Sequence, residues 1–204
     1  DMTIDLRELP ASAAWRHRGL RDGFEVAHFA TSPGSGATRI WGNTVATEGS
    51  TSFAVTYLVV VDEHWNTREA SIETRTRDRT WRTHLVCDGH GTWTVDGVVR
   101  PELSACTDVD LEASVVTNTI PVHRLSAACG THNVSAVYVR ATEPEVEVLE
   151  QTYFFASSGS ESFTCAYTAP QFDYSANLYY DASGLIVDYP DLAIRTDRFQ
   201  SDVR

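Results

Sequence analysis

The chain has 204 residues, 42% of them hydrophobic, and carries a formal net charge of −12 at neutral pH. A chain of this length and apolar content can bury a core without disulfides or metals, which excludes intrinsic disorder. Its 16 basic residues, all arginine, are outnumbered by 28 acidic ones, so the charge balance argues against binding to nucleic acid or to an anionic membrane surface.

Cysteine spacing and the length of apolar runs narrow the class further. The cysteines at positions 87, 106, 129 and 165 form no C-x-x-C pair, so neither a zinc knuckle nor a redox pair is indicated, and we expect reduced thiols. No apolar run approaches the roughly 20 residues of a membrane span. The first residues also lack a secretion-signal pattern, and we therefore expect a cytoplasmic protein.

The first half of the chain predicts strands joined by turns. "TSPGSGAT" at 31–38 predicts a loop, and "FAVTYLVVV" at 53–61 predicts a strand that is buried on both faces. A hairpin partner follows at 67–77 and a further strand at 79–88. The Asp-Gly pair at 96–97 predicts a tight hairpin, because both positions tolerate positive φ.

The second half continues the alternation and contains no window with a helical period and caps. Strands are predicted at 132–142, 145–156, 161–169, 176–181 and 184–189, with a loop over 156–162. We therefore predict an all-β chain that is almost wholly antiparallel. All-β domains of this length are commonly single, so we expect one domain over residues 1–204.

Three predicted hairpin corners share one pattern. "LVVVDEHW", "HLVCDGHG" and "NLYYDASG" each end an apolar strand with an aspartate and continue with two turn residues. Aspartate carboxylates at such corners accept hydrogen bonds from backbone N–H groups of the turn. We therefore predict a structural role for Asp62, Asp88 and Asp181.

Several catalytic and cofactor motifs are absent or incomplete. "GSGATR" at 34–39 lacks the third glycine and the following helix of a dinucleotide loop, and "DVDLEAS" at 108–114 has alanine where a calcium loop needs glycine. No G-x-S-x-G elbow occurs, and no two histidines are spaced as H-x-x-x-H. We expect no metal and no cofactor, and we assign no catalytic residue.

The stretch "CTDVDLEASVVTNTIPVHRL" at 106–125 is unusually polar for such a chain. As a strand, it would place Asp108 and Asp110 side by side on one face. A second strand over 115–125 would place Asn118 and Arg124 on one face and Thr117 on the other. Two interpretations of this stretch remain open.

In the first, the stretch is a polar corner: one of Asp108 and Asp110 pairs with Arg124, and Asn118 caps exposed backbone amides. In the second, these groups form the floor of a pocket that orients a sugar or another polar head group. Aromatic side chains would then supply the apolar wall, and the candidates are Trp65, Trp81 and Trp93.

Six motifs in the same order resemble those of a bacterial glycolipid-binding family. They are "DEHWNTR" at 62–68, "DGHGTWTVDG" at 88–97, "CTDVDL" at 106–111, "TNTIPVHRL" at 117–125, "QTY" at 151–153 and "GLIVDYP" at 184–190. The resemblance runs from about Trp15 to about Arg195. It implies an antiparallel spiral β-roll, or half-barrel of many short strands, similar in shape to carriers that hold the acyl chains of outer-membrane lipoproteins against a concave sheet.

The resemblance and the polar stretch together favour a non-enzymatic protein that binds a glycolipid or another lipid-like molecule in the groove of the roll. The predicted ligand-binding residues are Asp108, Asp110, Asn118, Thr117, Arg124, Trp65, Trp93, Arg68 and Tyr189. One alternative is a carbohydrate-acting enzyme that uses Asp108 and Asp110 as an acid/base pair. Another is a structural or partner-binding module, in which the polar stretch only stabilises the fold and the function depends on an unidentified partner.

Overall fold

The computed structural model describes residues 3–157 and 161–196, and almost every regular element in these residues is a strand. The strands are β1 (Ser12–His17), β2 (Asp22–Thr31), β3 (Thr38–Glu48), β4 (Thr51–Val61), β5 (Thr67–Thr76), β6 (Thr80–Cys87), β7 (Trp93–Val95), β8 (Val98–Val99), β9 (Asp108–Leu111), β10 (Gly130–Val139), β11 (Val146–Ser157), β12 (Ser162–Ala169), β13 (Tyr174–Asp181), β14 (Ile186–Tyr189) and β15 (Ala193–Arg195). One short α-helix, α1 (Thr119–Arg124), and 3₁₀ turns at Pro101–Leu103, Val116–Asn118 and Pro170–Phe172 complete the described elements.

All fifteen strands form one sheet in the order β8-β7-β6-β5-β4-β3-β2-β1-β15-β14-β13-β12-β11-β10-β9. Each neighbouring pair is antiparallel except β9 and β10, which are parallel. The all-β antiparallel prediction is therefore confirmed, and the sheet is open because β8 and β9 remain at its two edges. That residues 1–204 form a single domain stays a prediction.

The two faces of the sheet differ because polar and apolar residues alternate along the strands. In β4, Phe53, Val55 and Tyr57 point inward and are almost fully buried, whereas Ala54 and Thr56 lie on the exposed outer face. The prediction that this strand is buried on both faces is therefore wrong. Farther along the same outer side, Leu58 and Val60 are half-buried.

The sheet curls far enough for its edge strand β9 to approach β5, the fourth strand from the opposite edge. The backbone N–H of Thr67, at the start of β5, donates to the carbonyl of Thr107, just before β9 (3.3 Å). The N–H of Val109 donates in return to Thr67 Oγ1 (3.1 Å). Strand twist of constant hand accumulates into such curvature, and the result is a roll whose concave face encloses an interior.

A short helical segment, not a strand, fills part of this interior. The predicted strand over 115–125 is wrong, since the chain forms a 3₁₀ turn followed by α1. Pro121 lies in the first turn of α1, where a missing N–H leaves no hydrogen bond unmade. Ile120 and Val122 are fully buried. A helix of six residues is too short to show a helical period in the sequence.

The segment that leads from β9 to α1 is tied to the opposite wall of the roll. Glu25, on β2, accepts hydrogen bonds from the Tyr57 hydroxyl (2.7 Å), from the N–H of Val115 (2.9 Å) and from Ser114 Oγ. Burial raises the pKa of Glu25 above its ordinary value, while these donors favour its ionised form. Thr44 Oγ1 also donates to the carbonyl of Ala113 (2.7 Å).

The predicted corners are confirmed in detail. Oδ1 of Asp62 accepts the N–H groups of the residues two and four positions later, both at 2.9 Å. Asp88 does the same at 2.7 and 3.0 Å, and Asp181 at 2.9 and 3.1 Å. Asp96 and Gly97 have φ values of 52° and 81°, as the tight hairpin requires.

The two loops predicted from the sequence can be compared with the structure to different extents. The loop predicted at 31–38 joins β2 to β3. The loop predicted at 156–162 lies partly outside the described residues, because these omit 158–160. No helix within 3–157 and 161–196 has the length and hydrophobicity needed to cross a membrane.

Candidate functional site

Asp108 and Arg124 form a bidentate ion pair between β9 and α1. Arg124 Nε lies 2.7 Å from Oδ1 of Asp108, and its Nη2 lies 2.8 Å from Oδ2. Burial raises the pKa of Asp108, and Arg124 opposes that shift. Both carboxylate oxygens are therefore engaged, and the polar-corner interpretation correctly describes this residue.

Asp110 has different surroundings. Its Oδ1 accepts a hydrogen bond from Thr117 Oγ1 (2.9 Å), and its Oδ2 accepts one from Gln151 Nε2 (2.7 Å). No cation pairs with this carboxyl among the described residues. Burial, with smaller contributions from the charges of Asp108 and Glu112, raises the pKa of Asp110 to about 6. A carboxylate keeps free acceptor sites after two such bonds.

Thr117 and Asn118 are buried beside this carboxyl. Thr117 Oγ1 also accepts the backbone N–H of Leu111 (3.2 Å), which fixes its position. Asn118 Nδ2 donates to the hydroxyl of Tyr153 (3.1 Å). The expectation that Asn118 caps backbone amides is therefore wrong, because its amide group is directed to β11 across the interior.

The three tryptophans that were candidates for an apolar pocket wall do not form one. Trp65 stacks on the ring of His123 with centroids 4.0 Å apart, and Trp93 is fully buried with its indole N–H bonded to the carbonyl of Cys106 (3.1 Å). The guanidinium of Arg79 lies 4.8 Å from the Trp81 ring centre. These aromatic rings pack against protein groups. None of the three borders the interior cavity, which lies between the concave face of the sheet and the segment from Asp110 to Asn118.

Arg68 is likewise used by the fold. Its Nη2 donates to the carbonyl of Asp88 (3.0 Å), in the corner between β6 and β7. Gly89, in the same corner, has a φ of 84° and leaves no space for a side chain, because a Cβ there would overlap the Arg68 guanidinium. Arg68 therefore supports a turn and does not border the cavity.

An interior cavity of about 640 Å³ lies between the concave face of the sheet and the segment from Asp110 to Asn118. Its aromatic lining residues are Tyr138, Tyr167, Phe172, Tyr174 and Tyr189. Its charged and ionisable lining residues are His17, Arg21, Asp110, Glu112, Arg140 and Asp191. Of the nine predicted binding residues, Asp110, Asn118 and Tyr189 border the cavity, while Asp108, Thr117 and Arg124 hold the segment that forms one of its walls.

Two ion pairs position the basic lining residues. Arg140 Nε lies 3.1 Å from Oε2 of Glu112, and Arg21 Nη2 lies 3.2 Å from Oε2 of Glu48. Arg21 Nη1 also donates to the carbonyl of Glu112 (2.9 Å). Both guanidinium charges are thus balanced by a glutamate, whereas the carboxyl of Asp110 in the cavity wall has no ion-pair partner among the described residues.

Some buried polar atoms of the residues that border this cavity lack a hydrogen bond. In the described residues, the buried side-chain atoms without a hydrogen bond are both ring nitrogens of His17, Nε of Arg21 and Oε2 of Glu112, and of these Oε2 of Glu112 forms the ion pair with Arg140. All of them belong to residues that border this one cavity. Burial and the charge of Arg21 lower the pKa of His17 to about 4, although the nearby backbone of Leu192 opposes the shift. His17 is therefore neutral at neutral pH.

Sequence reasoning missed most of the cavity lining. Arg140 is far from His17 and Arg21 along the chain and meets them only because the sheet curls. One signal was available for His17, which continues the inward alternation of Ala13 and Trp15 on β1. An ionisable residue at an inward position of an otherwise apolar strand is unusual and marks a candidate site.

A second concavity, of about 720 Å³, lies on the outer face of β3 to β6. Its polar side chains bond to each other: Asn43 donates to Thr56 (2.8 Å), and Arg82 Nε lies 2.6 Å from Glu73. These polar side chains therefore already have partners within the protein, so this concavity is a weaker candidate for ligand binding than the interior cavity. Among the described residues, no group of three or more His, Cys, Asp or Glu side chains is arranged to hold a metal ion.

Solved structures share this fold. A crystal structure of a DUF1089 family protein from Pseudomonas aeruginosa, 24% identical, has a TM-score of 0.71 and covers 96% of this chain and 98% of that chain. A beta-barrel-like protein of domain of unknown function DUF1849 from Brucella abortus, 12% identical, has a TM-score of 0.54 and covers 93% and 95%. Among curated proteins there is no match.

The sequence itself identifies the family. The motifs quoted above lie within residues 12–195, the part of the chain that matches the family's sequence profile. That range begins with β1 and ends with β15, so it includes every strand of the sheet. The chain therefore belongs to the family described as "Putative glycolipid-binding".

Proposed function

We propose that this protein binds an amphiphile of the glycolipid class in its interior cavity and releases it unchanged. The observation that carries the proposal is that every buried side-chain polar atom without a hydrogen bond, among the described residues, belongs to a residue bordering this cavity. Buried polar groups without partners are costly. A ligand with several hydroxyl groups would supply the missing hydrogen bonds.

The composition of the cavity wall suits such a ligand. Tyrosine rings offer flat apolar surfaces to a sugar ring, and carboxylate and guanidinium groups form hydrogen bonds with hydroxyls. The volume of about 640 Å³ is within the usual range for small-molecule sites. The family description, which names glycolipids, supports the same ligand class.

The two alternatives account for less of this arrangement. An acid/base pair of Asp108 and Asp110 is disfavoured, because Arg124 holds both oxygens of Asp108. A purely structural role for the polar stretch explains Asp108 but not Asp110, which borders an open cavity without a cation partner. That the protein is not an enzyme, and that it is cytoplasmic, stay predictions.

The proposal is tested by native mass spectrometry after incubation with a bacterial lipid extract. We expect an adduct with the mass of a glycolipid for the unmodified protein. Ala169 borders the cavity and is buried, so Ala169→Phe should fill the cavity and abolish the adduct. Ala54→Phe on the exposed outer face of β4 is the matched control. A protein that acquires no lipid, or an adduct that survives Ala169→Phe in a folded protein, contradicts the proposal.

A further inference from the structure

The cavity has buried polar side chains in its wall and exposed apolar side chains at its rim. The wall contains His17 and Arg21, which are 1% and 3% exposed, among equally buried apolar residues such as Leu111 and Leu149. The rim contains Leu20 and Phe172, which are 58% and 41% exposed. A cavity that held only a hydrocarbon chain would have an apolar wall without buried polar groups.

The backbone keeps Leu20 at the rim. The N–H of Leu20 donates to the carbonyl of Asp191 (3.3 Å), which anchors the turn between β1 and β2. The preceding Gly19 has a φ of 70°, and a Cβ there would collide with the same carbonyl. Because the turn is held in this way, Leu20 cannot easily fold back into the core. Its exposure is a property of the turn.

Phe172 is held at the rim by its own neighbours. It lies in the 3₁₀ turn between β12 and β13, with its ring centre 5.4 Å from that of Tyr138. The guanidinium of Arg140 lies 5.6 Å from the centre of the Phe172 ring. One side of the ring is thus packed while the rest is exposed. Phe172 and Leu20 together present apolar surface at the opening of a cavity that has polar side chains in its wall.

We propose that the ligand enters head first, so that its sugar lies among His17, Arg21 and Asp110 and its hydrocarbon chain leaves across Leu20 and Phe172. This inference rests on the proposed function and specifies which end of the amphiphile the cavity recognises. The hydroxyls of the sugar form hydrogen bonds with the side-chain nitrogens of His17 and Arg21 that lack one within the protein. The chain covers the two exposed apolar side chains at the rim, which removes their surface from water.

The charges of the cavity specify the head group further. Arg140 pairs with Glu112 and Arg21 with Glu48, which leaves Asp110 in the interior and Asp191 at the rim without an ion-pair partner among the described residues. The resulting excess of negative charge disfavours a phosphate or sulfate. The cavity therefore takes a neutral or amine-bearing sugar in preference to an anionic head group.

Calorimetry with separated halves of an amphiphile tests the orientation. The probes are methyl glycosides of glucose, galactose, mannose and N-acetylglucosamine, the matching octyl glycosides below their micellar concentration, and sodium octanoate. We expect at least one octyl glycoside to bind, its methyl glycoside to compete with it, and octanoate to do neither. Binding of octanoate with no competition by methyl glycosides would overturn head-first entry and leave the proposed function standing. Absence of binding by every probe would overturn both.

Two variants locate the halves of the ligand. Leu20→Ser combined with Phe172→Ser should weaken octyl glycoside binding about tenfold, as expected for lost apolar contact, and leave methyl glycoside binding unchanged. Val98→Ser is the control, since Val98 is 64% exposed on β8 and does not border the cavity. Equal weakening of both ligands by the rim variant, in a protein with an unchanged melting temperature, would contradict the assignment.

Discussion

Arg124 on α1 holds both carboxylate oxygens of Asp108 on β9, at 2.7 and 2.8 Å. This pair connects the edge strand of the sheet to the helix inside the roll. Only 1% of Asp108 is exposed, so water cannot replace the guanidinium. The pair therefore fixes the position of the segment that ends at α1 and forms one wall of the cavity.

We expect Arg124→Ala to lower the free energy of unfolding by about 3 to 5 kcal/mol, because a buried carboxylate would lose its cation. Adding Asp108→Asn should recover part of the loss, since no uncompensated charge then remains. Urea unfolding of the two variants measures both effects. Arg82→Ala is the control: Arg82 pairs with Glu73 on the surface, and exposed pairs contribute about 0 to 1 kcal/mol. Equal losses for Arg124→Ala and Arg82→Ala would contradict the prediction.

The corners of the fold could be predicted because their signals are local. Asp62, Asp88 and Asp181 each bond to backbone N–H groups two and four positions later. The aspartate and its turn are therefore adjacent in sequence, and one rule covers all three. The same holds for the hairpin at 96–97, where residue type alone permits the backbone conformation.

The cavity could be predicted only in part. Asp110 and Asn118 lie in one polar stretch, so the sequence indicated them, and Tyr189 came from the family resemblance. His17, Arg21 and Glu112 contribute the buried side-chain atoms that lack a hydrogen bond. These residues come from two different regions of the chain and meet only through the curl of a fifteen-stranded sheet. Contacts at such separation depend on strand pairing and curvature, which residue patterns do not specify.

Helix α1 was not predicted because it consists of only six residues and most of them are buried, so no exposed polar face marks it as a helix. An amphipathic period needs at least two or three turns to be visible. Proline in the first turn was the available signal. In the strand predicted over 115–125, the same proline would have to lie at an edge or a bulge, because proline cannot donate to a strand ladder.

Gly42 on β3 is a position where a side chain would disrupt the interior. A Cβ there would lie 2.5 Å from the Tyr57 hydroxyl oxygen and even closer to the carbonyl of Val26. Tyr57 passes over Gly42 to reach Glu25 on β2. We expect Gly42→Ala to lower the melting temperature strongly, by at least the equivalent of about 2 kcal/mol, because it displaces a buried hydrogen-bonded pair.

The matched control for this glycine is Gly34→Ala, since a Cβ at Gly34 meets no atom within 4 Å and the position has no positive φ. Its effect should stay within about 0.5 kcal/mol. Differential scanning calorimetry of the two variants distinguishes the cases. A Gly42→Ala protein as stable as Gly34→Ala would show that Tyr57 does not need the space above Gly42.

Asp62 should be replaceable by asparagine but not by alanine. Its Oδ1 accepts the N–H groups of His64 and Asn66, and an asparagine side-chain oxygen can accept the same two bonds. We expect Asp62→Ala to lower the free energy of unfolding by about 1 to 2 kcal/mol and Asp62→Asn to lower it much less. Asp78→Ala, at a highly exposed turn aspartate, is the control. Equal losses for the alanine and asparagine variants of Asp62 would mean that its charge, and not its hydrogen bonds, stabilises the corner.

Asp110 should make the protein more stable as the pH falls from 7 towards 5. Its pKa in the folded protein is about 6, whereas an unfolded aspartate has a pKa near its ordinary value of about 3.9. Between these values the folded state binds more protons than the unfolded state, so the free energy of unfolding decreases as the pH rises through this window. The full effect is on the order of 3 kcal/mol, at about 1.4 kcal/mol per pKa unit.

Comparison with Asp110→Asn isolates this contribution. Burial also raises the pKa values of Glu25 and Asp108, but these residues are present in both proteins and their effects cancel in the difference. The stability of the unmodified protein relative to Asp110→Asn should therefore rise on acidification from pH 7 to pH 5, as measured by urea unfolding at each pH. A difference that is constant with pH would mean that the Asp110 carboxyl titrates as if unfolded. Its deep, cation-free position would then be wrong, and with it the polar interior that the head group of the ligand requires.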